Sequence, residues 1–354
     1  MGGRAGPPHR SRPQAGAASH GTHAAPRPPS DHSMLRPART SLLGAAAVLC
    51  QVLVTTPLAA QDLDPRAYAH VPVNGTFLVT GFSVSHGAIV TDATLAVTDI
   101  DATVEAPSLG VARSFSLFGK TAQVFGAMPY AWAQVSGKVL EEARDITRAG
   151  LSDMRIRLSV LVRGAPAASV AEIAKAPRRT ILGTSLNIVA PTGQFLPNRL
   201  INVGTNRWAF RPEFAVSRPL GQRWLLDLYS GLWLFTSNHT FYPGTASRSQ
   251  APMGSFQAHV SYNFTRQSWA AFDTTYYVGG RSTVDGVEND DRQNNLRMGS
   301  TLVLPVGRRH SVKLAVSRGA IVRAGTDFTT ISVGWQTAWL SRWPLPHQPG
   351  GMSR

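Results

Sequence analysis

The chain has 354 residues and a formal net charge of +15 at pH 7; 43 % of its residues are hydrophobic and 16 % are charged. This length permits one large β-barrel or two soluble domains, and past residue 60 no run of about 18 apolar residues predicts a membrane-spanning helix. Six of the basic residues lie in residues 1–60, and the others are scattered through alternating segments without a basic helix. We therefore expect no nucleic-acid partner.

The first 60 residues differ in character from the rest. Residues 1–33 are mainly proline, glycine, alanine, histidine and arginine, which cannot bury a core, so they are predicted to be a disordered or untranslated extension. Residues 34–60 predict a secretory signal peptide, because two arginines precede an apolar stretch that ends in small residues before Gln61. The only cysteine, Cys50, lies in that stretch, so the mature protein is expected to have neither a disulfide nor a thiol nucleophile.

A period of two dominates the remainder of the chain. Between Ser255 and Phe264, polar and apolar residues alternate over about ten positions, which indicates a strand. Strands of soluble proteins have about 5–6 residues, whereas a tilted strand needs about 9–11 to cross a bilayer. Twelve strands are predicted, at residues 76–89, 103–117, 122–136, 154–163, 180–190, 207–218, 224–236, 255–265, 268–279, 296–304, 311–317 and 328–339.

The connections between these strands alternate in length. Every second one is short, and those between them, such as residues 137–153, are longer and polar. Residues 164–178 form a long connection among the short ones, and residues 168–175 within it predict a short helix. Short periplasmic turns and long outer loops are typical of outer-membrane barrels. Residues 61–340 are therefore predicted to form an all-β, transmembrane antiparallel β-barrel of about 12 strands, followed by a C-terminal tail at residues 341–354.

Alternation also assigns the two faces of each strand. A charge that faces lipid at mid-bilayer costs about 2–4 kcal/mol, so charged positions are placed inside. The predicted lumen-lining charges are Arg155, Arg157, Arg211, Glu213, Asp227, Asp273, Arg297 and Lys313, and the predicted lumen aromatics are Tyr229 and Trp233. Two roles stay open for the charges: a salt-bridged filling of the interior, or a pore lining that selects solute. Aromatic residues near strand ends, among them Trp208, Trp269, Trp339 and Tyr277, predict an interfacial girdle.

Several runs resemble a known family. They are LSDMRIRLSVLVRGAPA from Leu151, APTGQFLPNRLINVGTNRWAFRPEFAVSRPLG from Ala190, GGRSTVDGVENDDRQNNLRMGSTLVLPVGRRHSVKL from Gly279, and VGWQ from Val333. These runs are similar to the MetA-pathway of phenol degradation family of outer-membrane transporter-like proteins. The resemblance implies a Gram-negative outer-membrane β-barrel that passes aromatic or other hydrophobic compounds.

Patterns for catalysis and metal binding are weak. His259, Ser261 and Asp273 face the lumen on paired strands, but the triad of a lipid hydrolase should open to the membrane. There is no G-x-S-x-G motif. The histidines lack metal-ligand spacing, and the acidic stretch at residues 285–291 matches no calcium motif. We expect no enzyme activity, no cofactor and no metal.

The sequence thus predicts a channel or transporter of the cell outer membrane for small hydrophobic or aromatic compounds, after signal-peptide removal. The alternatives are a barrel with a sealed lumen that serves structure or surface interaction and, third, a lipid hydrolase of the outer membrane. The expected partners are membrane lipids and lipopolysaccharide, a small hydrophobic or aromatic solute, and the barrel assembly machinery.

Overall fold

A computed structural model of the chain describes residues 63–90, 97–139, 142–199, 201–265, 267–307 and 309–340. The predicted N-terminal extension, signal peptide and C-terminal tail lie outside these ranges. The strands are β1 (Gly75–Val90), β2 (Val97–Leu117), β3 (Lys120–Val139), β4 (Glu142–Leu151), β5 (Met154–Arg163), β6 (Ile181–Ala190), β7 (Ala209–Leu220), β8 (Trp224–Phe235), β9 (Asn238–Phe241), β10 (Ala246–Gln250), β11 (Met253–Asn263), β12 (Trp269–Gly279), β13 (Ser282–Val284), β14 (Val287–Glu288), β15 (Gln293–Val306), β16 (His310–Ile321) and β17 (Gly325–Leu340). Helix α1 spans Val170–Lys175, and no helix in the described ranges has the length and apolarity needed to cross a membrane.

Twelve of the strands form a closed antiparallel barrel. In order around the wall they are β1, β2, β3, β5, β6, β7, β8, β11, β12, β15, β16 and β17. β1 closes the wall by pairing with β17 along its whole length, from Gly75 opposite Leu340 to Val90 opposite Gly325. The predicted twelve-stranded barrel is therefore confirmed.

The connection at residues 137–153 is mostly strand, so its prediction as a polar outer loop is wrong. β3 continues to Val139, and β4 pairs with that upper half from Val139 opposite Glu142 to Tyr130 opposite Leu151. β5 then continues down the lower half of β3. The sequence of β4, EARDITRAGL, lacks the regular alternation of apolar and polar residues by which the other strands were found.

A small sheet stands at the end of the barrel that carries the long connections. It contains β9, β10, β13 and β14, and we call it the outer sheet. The short turns lie at the opposite end, which is the periplasmic end in outer-membrane barrels. The long connection at that end holds α1, so the predicted short helix is confirmed. Its cap is reciprocal, because the Ser169 hydroxyl accepts from the Glu172 amide at 3.4 Å and the Glu172 carboxylate accepts from the Ser169 amide at 2.6 Å.

The strands bury one face and expose the other. On β11, Gln257 is 5 % exposed and His259 is fully buried. Phe256, which precedes Gln257 on the same strand and points to the opposite face, is 49 % exposed. The exposed faces carry the large apolar side chains, as a wall against lipid requires. Two predicted girdle residues are exceptions: Trp269 turns inward under an arginine, and Tyr277 is only 7 % exposed.

Candidate functional site

The lumen is partly filled by the chain that precedes β1. Residues 63–69, which we call the plug segment, enter it from the periplasmic end, where the Val73 amide donates to the Ala168 carbonyl at 3.0 Å and the Asn74 amide to the Ser114 carbonyl at 2.9 Å. The sequence prediction assigned no such element. The plug segment is not part of any strand, so it lacks the alternation of polar and apolar residues by which the strands were predicted.

Tyr68 anchors the plug segment and is only 1 % exposed. Its hydroxyl donates to Glu213 Oε1 at 2.8 Å and lies 2.8 Å from Ser185 Oγ. The guanidinium of Arg157 lies 4.6 Å from the centroid of its ring, and the ring of Tyr229 packs edge-on at 5.0 Å. Burial raises the pKa of Tyr68 to about 12, so the phenol stays neutral and remains a donor to the carboxylate.

Two charged residues of the plug segment, Asp64 and Arg66, also contact the barrel wall. Asp64 pairs with Lys313 at 3.0 Å and with Arg157 at 3.7 Å. Partial desolvation in the lumen opposes ionisation of Asp64, but the positive charges of Lys313 and Arg157 outweigh it and lower the pKa of Asp64 below its usual range. Arg66 stacks on Trp269, with 4.2 Å between its guanidinium carbon and the ring centroid. The plug is thus held by charge as well as by packing.

Glu213 is the centre of the charge network and is 4 % exposed. Arg157 on β5 approaches it to 3.5 Å, and Arg211, which lies on β7 as Glu213 does, also approaches it to 3.5 Å. Gln257 on β11 donates to its other oxygen at 3.5 Å. With Tyr68, four side chains from three strands and the plug segment converge on one carboxylate, which offsets the cost of burying it.

A second polar cluster lies on β11 and β12. His259 Nδ1 lies 2.8 Å from Asp273 Oδ1, and both side chains are fully buried. Thr301 donates to the other oxygen of Asp273 at 2.7 Å. His259 Nε2 faces Gln257 Oε1 at 3.3 Å, and Ser261 has no hydrogen-bond partner among the described residues. His259 is therefore not paired with Ser261, and the geometry does not assemble a hydrolytic triad.

The other predicted charges lie at different depths. Asp227 accepts a short hydrogen bond from Ser217, and Arg297 donates to the Phe328 carbonyl at 3.0 Å. Arg155 is half-buried on β5. None of the described residues forms a group of three potential metal ligands.

The two predicted lumen aromatics occupy different positions. Tyr229 is 3 % exposed and packs between Tyr68 and His259, whose ring centroid is 5.2 Å away. Trp233 is half-buried closer to the outer end, with the guanidinium carbon of Arg211 4.8 Å from its ring centroid. Phe235 stacks parallel to it at 6.2 Å. The inner side of β8 therefore carries a row of aromatic rings from the plug toward the outer end.

The lipid-facing wall also contains a cavity of about 450 Å³ over β7, β8, β11, β12 and β15. Large side chains such as Phe214, Phe256 and Tyr276 frame it, and the small outward residues Ser230 and Ala258 form its floor. Its walls are almost wholly apolar, as expected for the surface of a barrel that faces lipid.

Most of the barrel sequence matches one known protein family. The family model described as "Putative MetA-pathway of phenol degradation" matches residues 81–336. The chain belongs to this family. The predicted phenol-degradation family and barrel fold are thereby confirmed, although no curated protein sequence matches the chain.

Two solved structures show the same fold as this phenol-degradation family member. The COG4313 outer membrane channel from Pseudomonas putida F1 is 20 % identical, with a TM-score of 0.69 over 78 % of this chain and 100 % of that chain. The transport unit of the autotransporter AIDA-I from Escherichia coli is 10 % identical, with a TM-score of 0.50 over 85 % of this chain and 98 % of that chain. The fold is that of an outer-membrane barrel, and neither similar structure is described as an enzyme.

Proposed function

We propose that the protein is an outer-membrane channel for small hydrophobic or aromatic compounds. Membership of the phenol-degradation family supports this substrate class. We propose further that residues 34–60 direct secretion and are removed, that the barrel assembly machinery inserts the barrel, and that membrane lipids and lipopolysaccharide surround it.

The observation that carries the channel proposal is a group of buried polar atoms on the inner wall of the barrel. They are Asp227 Oδ2, Tyr229 OH, Ser261 Oγ and Thr275 Oγ1, all on the inner faces of the adjacent strands β8, β11 and β12, and none has a hydrogen-bond partner within the described ranges. Each belongs to a side chain that is at most 3 % exposed. Buried polar atoms are rarely left unsatisfied, so they require water. A hydrated lumen fits a channel better than a dry, sealed core.

The lumen charges and the aromatic row would line the path. In this proposal Tyr229 and Trp233 provide apolar contact for the ring of a solute, while the charges around Glu213 narrow the aqueous route. Replacing both aromatic residues with alanine should alter the uptake of a hydrophobic compound without loss of barrel insertion. Unchanged uptake would refute the assignment of these two side chains.

The direct experiment is single-channel recording in a planar bilayer. The chain from Gln61 onward is compared with a variant that lacks residues 61–69, and heat-modifiable gel mobility confirms that both barrels are folded. We expect small discrete conductance steps for the first and larger steps for the second, because deletion removes the plug segment. Silence from both folded proteins would contradict the channel proposal.

One observation favours the second candidate, a barrel with a sealed lumen. The contacts of Tyr68 and Asp64 hold the plug segment through an aromatic ring and an ion pair. If the plug never leaves, the barrel would serve structure or surface interaction. Conductance that appears only after deletion of residues 61–69 would support that function.

A further inference from the structure

Two buried arginines lie near each other where the outer sheet meets the barrel wall. Arg207 lies just before β7 and is 4 % exposed, and Arg248 lies on β10 and is 3 % exposed. Arg207 Nη2 donates at 2.6 Å to Oε1 of Gln250, which shares a face of β10 with Arg248. Burial lowers the pKa of Arg207 to about 10, and burial together with the charge of Arg207 lowers the pKa of Arg248. Two cations are thus held out of water in one place.

Three other donor nitrogens of the two guanidinium groups have no acceptor among the described residues. Arg207 Nη1 and both Nε and Nη2 of Arg248 are buried without an acceptor in the part of the chain that the structure describes. Nε and Nη2 lie on one edge of a guanidinium and present parallel N–H groups, which is the fork that a planar carboxylate accepts with its two oxygens. Arg248 therefore presents an unfilled bidentate fork.

The nearest carboxylates of the protein are committed elsewhere. Asp291 accepts from the Ser282 amide at 2.8 Å and from the Ser282 hydroxyl at 2.6 Å. Asp153 accepts from the amides of Gly193 and Thr205, both at 2.9 Å, and from the Thr205 hydroxyl at 2.6 Å. The negative charges of Asp153 and Asp291 favour the charged form of Arg207 from a distance. Neither carboxylate accepts a hydrogen bond from Nε or Nη2 of Arg248.

Aromatic rings cover the faces of the two guanidinium groups. The guanidinium carbon of Arg207 is 4.5 Å from the ring centroid of Phe235, and that of Arg248 is 5.5 Å from the ring centroid of Phe241. With a face covered, a ligand binds along the edge, in the plane of the guanidinium. A planar acid fits this arrangement better than a tetrahedral phosphate.

We propose that Arg207 and Arg248 form a binding site for a small organic carboxylate, filled from the outer end of the barrel. Its carboxylate accepts both hydrogen bonds from the Arg248 fork and lies within the field of Arg207. The site goes beyond the proposed passage of hydrophobic compounds, since it recognises the charge of an anion.

The test is calorimetric titration of the folded full chain in detergent with benzoate. Benzyl alcohol serves as the uncharged control and inorganic phosphate as the tetrahedral anion. We expect saturable binding of benzoate and no saturable binding of benzyl alcohol or phosphate. Arg248→Gln should weaken it at least about tenfold because both charge-assisted hydrogen bonds are lost. Arg248→Lys should retain charge but lose the fork and weaken binding to a smaller extent. The matched control Arg281→Gln removes a half-exposed guanidinium that pairs with Glu288 at the same end and should bind as the original chain does.

Each contrary result is decisive. Absence of benzoate binding, or binding that Arg248→Gln and Arg207→Gln leave unchanged, would show that water alone satisfies these donors. Preference for phosphate would overturn the carboxylate assignment. If Arg248→Gln does not fold, the folded Arg248→Lys variant decides, and unweakened binding there refutes the fork. Conductance of the same preparations separates the two proposals, because a silent barrel that binds benzoate refutes only the channel.

Discussion

Removal of the Tyr68 side chain should release the plug segment. The ring is 1 % exposed, packs 5.0 Å from Tyr229, lies under Arg157 and donates to Glu213. Truncation of a buried aromatic side chain to alanine costs about 3–5 kcal/mol, and a hydrogen bond to a charged group is worth about 1.5–3 kcal/mol. These terms overlap, and water recovers part of the second. We therefore expect Tyr68→Ala to cost the docked state about 3–4 kcal/mol, which raises the undocked fraction roughly 100- to 1,000-fold.

Thiol labelling measures that fraction. In the chain from Gln61 onward, which contains no cysteine, Ala67→Cys places one thiol in the plug segment beside Tyr68. When the segment closes faster than the reagent reacts, the labelling rate follows the undocked population. The rate should therefore rise about 100-fold or more when Tyr68→Ala is added, together with larger conductance steps. Equal labelling rates with and without Tyr68→Ala would refute the inference that this ring anchors the plug.

Three further outcomes are expected. Gly183→Ala should also raise the labelling rate, because a Cβ there would lie 2.4 Å from the ring of Tyr68. Gly126→Ala, which has open space around it, should leave the rate unchanged. Equal labelling rates for the two variants would contradict the contact between Gly183 and Tyr68. Asp273→Asn should lower the free energy of unfolding in urea by about 2 kcal/mol, because it removes the charge that its buried histidine partner contacts; an unchanged midpoint would contradict this. The Ser169 amide and, to a smaller extent, the Ser169 hydroxyl hold the pKa of Glu172 below its usual range, so the cap stabilises α1 above the ordinary glutamate range and is lost as pH falls through the lowered value. Ser169→Ala keeps the amide and removes the hydroxyl, so it should raise that pKa part of the way in an NMR titration, and no change would show that the hydroxyl does not contribute.

The sequence predicts the barrel well because every strand of a membrane barrel alternates apolar residues that face lipid with polar residues that face the lumen. The strand predicted at residues 154–163 has the bounds of β5 in the structure. The contact of His259 with Asp273 also follows from local information, because a short turn sets β11 against β12 and places these two residues opposite each other.

The charge network around Glu213 could not be predicted in the same way. Arg157 lies two strands away around the wall and meets Glu213 only through the curvature of the closed barrel. The plug segment left no periodic signal, and β4 does not alternate apolar and polar residues regularly. In each case the missing information is long-range, since it depends on barrel closure or on a partner remote in sequence.

The pairing of β1 with β17 has a consequence for the order of assembly. The first strand of the wall can be covered only after the last has arrived, so closure waits for nearly the whole chain. Asp64 and Lys313, which join the plug to the wall, are 249 positions apart. Docking of the plug therefore requires strands from the end of the chain, and a thiol at Ala67 should lose its reactivity during refolding no earlier than the barrel acquires its heat-resistant mobility. Protection of the thiol at Ala67 would then indicate that the barrel has closed.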